Sequence, residues 1–343
     1  RTLNVWVASE SVAVVVGDVR LSDRLTVRAR VIDLATGRQH PEVSADGGAA
    51  ELFTMFDRLA RNLSPALPAG ATAEPLPRRT SVESFEDYVK GLVAAAPDVQ
   101  VRFLDAALLH APNDPRVLLA LWRARTAQDD HTRALDAATR VPPDARERRE
   151  ARFLAALSLV ALKRYDDAFR SFDALYKDAP AATLSAALGV VQLRRGTATG
   201  GTAAYFLNRA VDERPGDSDI AFNLGYAYAL GGDASAAVYW LREVVRRQPA
   251  DGPAHLVLSA MLVAQAKPVE AQREFDLARA LGAVEGTATA PTDRVPRGLE
   301  RMPDDLEPPA WLQAWHMPEQ EGTVVVYIER GRAGQARMRL GGL

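Results

Sequence analysis

The sequence predicts a mainly α fold: a solenoid of about six helix-turn-helix repeats over residues 81–285, preceded by a small α/β domain and followed by an extended tail with a short β-hairpin. Three observations predict it. Residues 218–251 place Ala221, Leu224 and Tyr228 on one stripe of a first helix. They break at Gly231-Gly232, then resume with Ala237, Leu241 and Val244 on a second stripe that ends at Pro249, because proline cannot continue a helix interior. This pattern recurs at a spacing of about 34 residues. Ahead of it the chain alternates as strands do, and behind it the helical periodicity stops at Glu285.

Taken in order, Leu3 to Val7 alternates as a half-buried strand would, and Val12 to Val16 is a continuous apolar run suited to a strand covered on both faces. Gly17-Asp18 and Leu21-Ser22-Asp23 carry turn chemistry. Leu25, Val27, Ala29 and Val31 share one face of the next strand, with Thr26, Arg28 and Arg30 on the other. Ala35 to Arg38 is a turn, His40 to Val43 a short third strand, and Ala49 to Leu63 a helix with Leu52, Phe53, Phe56, Leu59, Ala60 and Leu63 on its apolar side. These elements make a domain over 1–64. Residues 65–80, with Pro65, Pro68, Pro75 and Pro77, are a semi-extended linker.

The repeats follow. Residues 81–114 carry Tyr88, Leu104, Ala107 and Pro112; 115–148 carry Leu121, Ala134 and Val141; 149–182 carry Ala168, Phe172 and Pro180. Residues 183–217 carry Leu188, Gly189, Ala203, Leu207, Ala210 and Pro215 around a long turn, Arg195 to Gly201. Residues 252–285 carry Leu258, Leu262, Ala271, Phe275 and Ala278. One hairpin cannot bury its own apolar faces, so neighbours must stack on it. Beyond 285 the tail (286–343) is rich in proline, glycine and charge, and Thr323 to Glu329 with Gln335 to Leu340 reads as a hairpin.

Two resemblances attach to these residues. The Leu224-Gly225, Tyr228, Gly232-Asp233, Ala237, Pro249 pattern is similar to the tetratricopeptide repeat, and the turn at Lys163 to Ala168 is similar to that family's usual inter-helix turn. The segment from Val14 to Gln39, with Val31-Ile32-Asp33-Leu34-Ala35-Thr36-Gly37 as its most telling stretch, resembles the amino-terminal domain of TolB and related bacterial envelope proteins, although a β-α portion that precedes this strand in that family is here only a stub. That resemblance implies a domain used for protein contact. The chain begins at Arg1 with no initiator methionine, which predicts a removed leader or further residues ahead of it.

Composition narrows the function. The net charge of −2 asks for no nucleic-acid or other polyanion partner. The absence of cysteine excludes disulfides, thiolate metal sites and thiol catalysis. No apolar run reaches the roughly 18 residues that would span a membrane. The histidines His40, His110, His131, His255 and His316 show no ligand spacing, so no metal is expected. Gly196 to Gly201 lacks the following lysine of a phosphate loop, and no Gly-x-Ser-x-Gly elbow occurs. The sequence therefore predicts no catalytic residue, no cofactor and no enzyme.

A protein-binding surface remains. The tetratricopeptide resemblance implies a concave groove lined by the first helix of each repeat, at Phe85, Val89, Leu119, Arg123, Phe153, Leu157, Phe222, Asn223 and Tyr226. Only Arg123 and Asn223 partly fit the lysine- and arginine-rich pattern that clamps a terminal carboxylate, so an apolar, aromatic groove is expected; several of these side chains are alternatively inter-repeat core. Residues 296–318, with Trp311 and Trp315, are expected to pack on the solenoid, along its groove or over its last helices. The expected role is an interaction scaffold or assembly factor in a bacterial envelope or periplasmic complex, with a protein partner. The alternatives are a regulatory module of a larger signalling protein and an enzyme whose site lies in the tail.

Overall fold

The computed structural model describes residues 13–21, 24–33, 36–48, 51–66, 81–284, 289–306, 324–330 and 336–342. The strand expected at 3–7 lies outside them. The chain divides into two compact units, one drawn from 1–93, 102–112 and 308–343, the other from 94–101 and 113–307.

In the first unit β1 (Ala13–Leu21), β2 (Leu25–Asp33) and β3 (Val43–Gly47) form an antiparallel sheet in that order. The alternation of β2 turns Val27, Ala29 and Val31 inward, against Ala13, Val15 and Ala45. Met55, Leu59 and Leu63 of α1 (Leu52–Leu63) cover them. Two expectations need correction. Gly17-Asp18 is no turn: β1 runs through it, and Gly17 faces Ala29 so closely that an added Cβ would lie 2.2 Å from the Arg28 carbonyl oxygen. The third strand is not at 40–43 but begins at Val43, because Pro41 has no N–H to give a ladder. Upstream of it only Gln39 bridges back, to Ile32. The Asp33 carboxylate accepts the Thr36 N–H at 2.8 Å, and Gly37 closes that turn with φ of 70°.

Phe53 of α1 meets Phe85 of α2 (Val82–Val93) edge-on, with centroids 5.5 Å apart. The buried Ser84 hydroxyl donates to the Ala107 carbonyl of α3 (Pro97–His110) at 2.9 Å. β4 (Val324–Arg330) and β5 (Ala336–Gly342) pair antiparallel as a separate sheet.

The second unit stacks helical hairpins: α4 (Pro115–Thr126) with α5 (His131–Thr139), α6 (Arg148–Ala161) with α7 (Tyr165–Asp178), α8 (Ala182–Arg195) with α9 (Ala203–Glu213), α10 (Ser218–Leu230) with α11 (Ala234–Arg247), and α12 (Gly252–Ala264) with α13 (Pro268–Ala280). The turns repeat one conformation. Asp129, Lys163, Gly232 and Ala266 all sit in the left-handed region, at φ of 60°, 59°, 82° and 57°. Only Gly232 does so without steric cost; the other three hold it because the helices on both sides fix the turn. Aspartate caps three first helices, Asp114, Asp217 and Asp251, each accepting backbone N–H groups of the first turn. In the stretched repeat, buried Gln192 holds the long turn by donating to the carbonyls of Thr199, at 3.0 Å, and Gly201.

Small residues set the helix spacing. Ala134, Ala168, Ala237 and Ala271 recur at equivalent places and are completely buried. Ala237→Leu is expected to overpack the α10–α11 contact and cost about 1–3 kcal/mol. Chemical denaturation that left the midpoint unchanged would show that this register is wrong.

Surface charge adds one acid-sensitive point on α11. The Glu243 carboxylate accepts from Arg246 and Arg247, and those bonds lower its pKa to about 2, while Arg247 also donates to the Pro215 carbonyl at 2.6 Å. A carboxylate with a lowered folded-state pKa contributes stability above its unfolded value. That contribution is lost as pH falls from near 4.5 through about 2. Glu243→Gln is expected to flatten the acid limb of the stability curve in that window, and an unchanged slope would remove Glu243 from the account.

Candidate protein-interaction groove

Asp217 caps α10 by accepting the N–H groups of Asp219 and Ile220 at 3.0 and 3.1 Å. Helical spacing then sets Asp219, Phe222, Asn223 and Tyr226 on one face. Phe222 and Tyr226 stack with their rings 9° apart and centroids 5.9 Å apart. Both are completely buried.

What covers this face is the chain's own segment 289–306, which crosses the first helices of the stack without regular secondary structure. The Tyr226 hydroxyl donates to the Pro296 carbonyl at 2.7 Å. Val295 and Leu299 pack against the apolar cluster of α10 to α13. Glu300 pairs with Arg194 of α8 at 2.8 Å. Asn223 clasps the main chain at two points: the Arg301 N–H donates to Asn223 Oδ1, and Asn223 Nδ2 donates to the Arg301 carbonyl, each at 2.7 Å. A side-chain amide is well suited to this, since it carries a donor and an acceptor side by side.

Arg301 is the most heavily held residue of the segment. Its guanidinium lies 3.8 Å from the centre of the Phe222 ring. It donates to Asp219 at 2.7 Å and to both oxygens of Asp251 at 2.6 and 2.7 Å. The Asp251 side chain is only 6% exposed and also caps α12 through the Ala254 N–H. A planar guanidinium can lie on an aromatic face while its two arms reach two carboxylates, Nη1 to Asp219 and Nη2 to Asp251, which a compact lysine ammonium cannot. Two carboxylates face one guanidinium here, and Glu300 and Arg194 pair alongside, so the cluster carries one excess negative charge. Burial pushes the Tyr226 phenol up, against the lowering effect of its bonds to the covering segment. Further along, burial raises the Glu150 carboxyl of α6, Arg123 lowers it, and Asp305 of the segment raises it.

The other sequence-predicted groove residues fall elsewhere. Leu119 is buried in α4, and Arg123 is exposed, paired with Glu150 at 3.0 Å. Phe153 is fully buried and edge-on to Phe172, with centroids 5.6 Å apart, so it belongs to the interior of the α6–α7 hairpin; Leu157 is half-buried. Phe85 and Val89 belong to the first unit, where Phe85 packs on Phe53. Trp311 and Trp315 lie outside the described residues. Sequence reasoning missed Asp219, Asp251, Arg194, Glu300 and Arg301. The signal available was the charge pattern of Glu300-Arg301, set among apolar and proline residues otherwise read for hydrophobicity alone.

Among the described residues no cluster of three or more histidine, aspartate and glutamate side chains could hold a metal ion. Buried His255 is occupied by Glu274 at 2.5 Å and the Pro249 carbonyl at 3.0 Å. No helix of the described residues is long and apolar enough to cross a membrane.

No protein-family profile matches the chain, and no curated protein matches it. Solved structures do. One is YrrB, described as a tetratricopeptide protein with an unusual peptide-binding site, at 18% identity and TM-score 0.42 over 52% of this chain and 91% of that one. Another is TTC0263, a tetratricopeptide protein of Thermus thermophilus, at 19% identity and TM-score 0.41 over 52% of this chain and 99% of that one. A third is PilW, a type IV pilus biogenesis factor, at 18% identity and TM-score 0.45 over 50% of this chain and 79% of that one. The stacked hairpins of this chain have the tetratricopeptide-type fold.

Proposed function

We propose that this tetratricopeptide-type solenoid is a non-enzymatic interaction scaffold that holds an extended segment of a protein partner along its first helices, as part of a complex assembled in a bacterial envelope. The observation that carries the reading is the two-point clasp of Asn223 on the main chain of Arg301. A face of this kind reads extended backbone as such, and backbone is common to every protein ligand. The envelope assignment is supported by the resemblance of the Val14–Gln39 stretch to an envelope protein domain. PilW, whose fold is of the same type, is described as a type IV pilus biogenesis factor.

The test is co-purification from cross-linked envelope and cytoplasmic fractions with tagged full chain, wild type beside Asn223→Ala, which removes both hydrogen bonds of the clasp. A protein captured from the envelope by wild type and lost with the variant supports the reading. Identical captures remove the groove from it, and a groove-dependent partner found only in the cytoplasm moves the chain to the regulatory-module alternative.

A further inference from the structure

We propose that Phe222, Asp219 and Asp251 form an arginine-reading subsite in this groove, and that segment 295–301 fills it as an internal stand-in which a partner displaces with an arginine of its own. The proposal rests on the scaffold reading and names the partner's chemistry: a stretch without helix or strand in which an apolar residue and an acid precede an arginine.

Each element of that chemistry is set by a group on the solenoid side. The arginine is required by the aromatic face 3.8 Å from the guanidinium and by two carboxylates placed for its fork. The acid before it is required by Arg194, 2.8 Å from Glu300, whose side chain is only 9% exposed. The apolar residue before that is required by the cluster that receives Leu299. The course of the backbone is set by the Tyr226 hydroxyl at Pro296 and by Asn223 at Arg301, with a bend at Arg297 and Gly298 between them.

The segment is built to leave as well as to bind. It carries no helix or strand of its own, and Gly298 turns it through φ of 83°. Its grip consists of separate polar contacts, with Val295 and Leu299 as its apolar anchors. Tethering gives such a segment an effective concentration on the order of millimolar. A partner segment of similar intrinsic affinity is therefore held off until it too is locally concentrated, as it is inside an assembling complex.

The experiment uses full chains and a labelled peptide of sequence DRVPRGLERMPD, matching residues 293–304, read by fluorescence anisotropy. Wild type is compared with Arg301→Ala, and the native peptide with one in which the arginine matching Arg301 is alanine. The native peptide should bind the Arg301→Ala chain at least about tenfold more tightly than wild type, because internal competition is gone. The alanine peptide should bind neither chain. Equal binding of the native peptide to both chains overturns the stand-in, and equal binding of both peptides overturns the arginine reading. If Arg301→Ala does not fold, Arg301→Lys decides, since it keeps the charge and loses the fork; no gain over wild type then overturns the proposal. A concentration-dependent dimer of wild type that Arg301→Ala dissolves would place the segment in a second copy's groove and overturn it as well. Failure of the scaffold reading is separate: peptide binding as expected with no groove-dependent cellular partner refutes the scaffold and leaves the subsite standing.

Discussion

Phe222→Ala is expected to lower the unfolding free energy by about 3–5 kcal/mol, the range for truncating a fully buried aromatic side chain. The ring is completely enclosed: it belongs to the apolar cluster of α10 to α13, is stacked by Tyr226 and is covered by the Arg301 guanidinium. Truncation therefore opens a cavity inside the stack and takes away the surface on which the covering segment rests. Phe222→Leu separates these two losses. Leucine refills much of the volume, so the packing cost falls to about 1–2 kcal/mol. It restores no aromatic face, so the cation–π contribution, about 0.5–2 kcal/mol, stays lost. Urea denaturation at constant m measures both variants. A cost below about 1 kcal/mol for Phe222→Ala would mean that the ring is not enclosed as described.

The same residue shows why some of this molecule is legible from sequence and some is not. The repeat register is legible because it depends on local spacing: Ala134, Ala168, Ala237 and Ala271 must be small for two helices to approach, and Asp217 and Asp251 precede helices they can cap. The turns are only half legible. Gly232 announces a left-handed residue, but Asp129, Lys163 and Ala266 adopt the same conformation with no such mark, because the flanking helices impose it. In the first unit a glycine misleads in the opposite direction. Gly17 looks like a turn and is instead a place where two strands come too close for a Cβ.

Groove residues divide in the same way. Asn223 and Tyr226 sit at positions the repeat resemblance supplies, and local spacing suffices to find them. Phe153 sits at an equivalent position and points into its own hairpin against Phe172, a choice made by the neighbouring helix and invisible in the local pattern. Arg301 is tied to Asn223 and Asp219 across 78 and 82 residues of sequence. No periodicity connects residues so far apart, and a tail read for its large apolar groups conceals that its strongest anchor is a charge.

Asp251→Ala is expected to cost roughly 2–4 kcal/mol, because one carboxylate serves two purposes. It caps α12 by accepting the Ala254 N–H at 3.1 Å, and both its oxygens accept from Nη2 of Arg301. Losing a cap alone costs about 0.5–2 kcal/mol. Losing a charged hydrogen-bond partner adds about 1.5–3 kcal/mol, and the lower half of that range applies here because Arg301 keeps Asp219 and remains 23% exposed. Asp251→Asn divides the two. Its side-chain oxygen still caps the helix, but its charge is gone and its amide nitrogen cannot accept from the guanidinium. Asn should therefore recover about 1 kcal/mol of the Ala loss. A double-mutant cycle between Asp251→Asn and Arg301→Ala then isolates the ion pair. Coupling of about 1 kcal/mol or more is expected, and it should shrink in high salt. Strict additivity would mean that Asp251 acts only as a cap, leaving Asp219 and the Phe222 ring as the groups that hold the arginine in the groove.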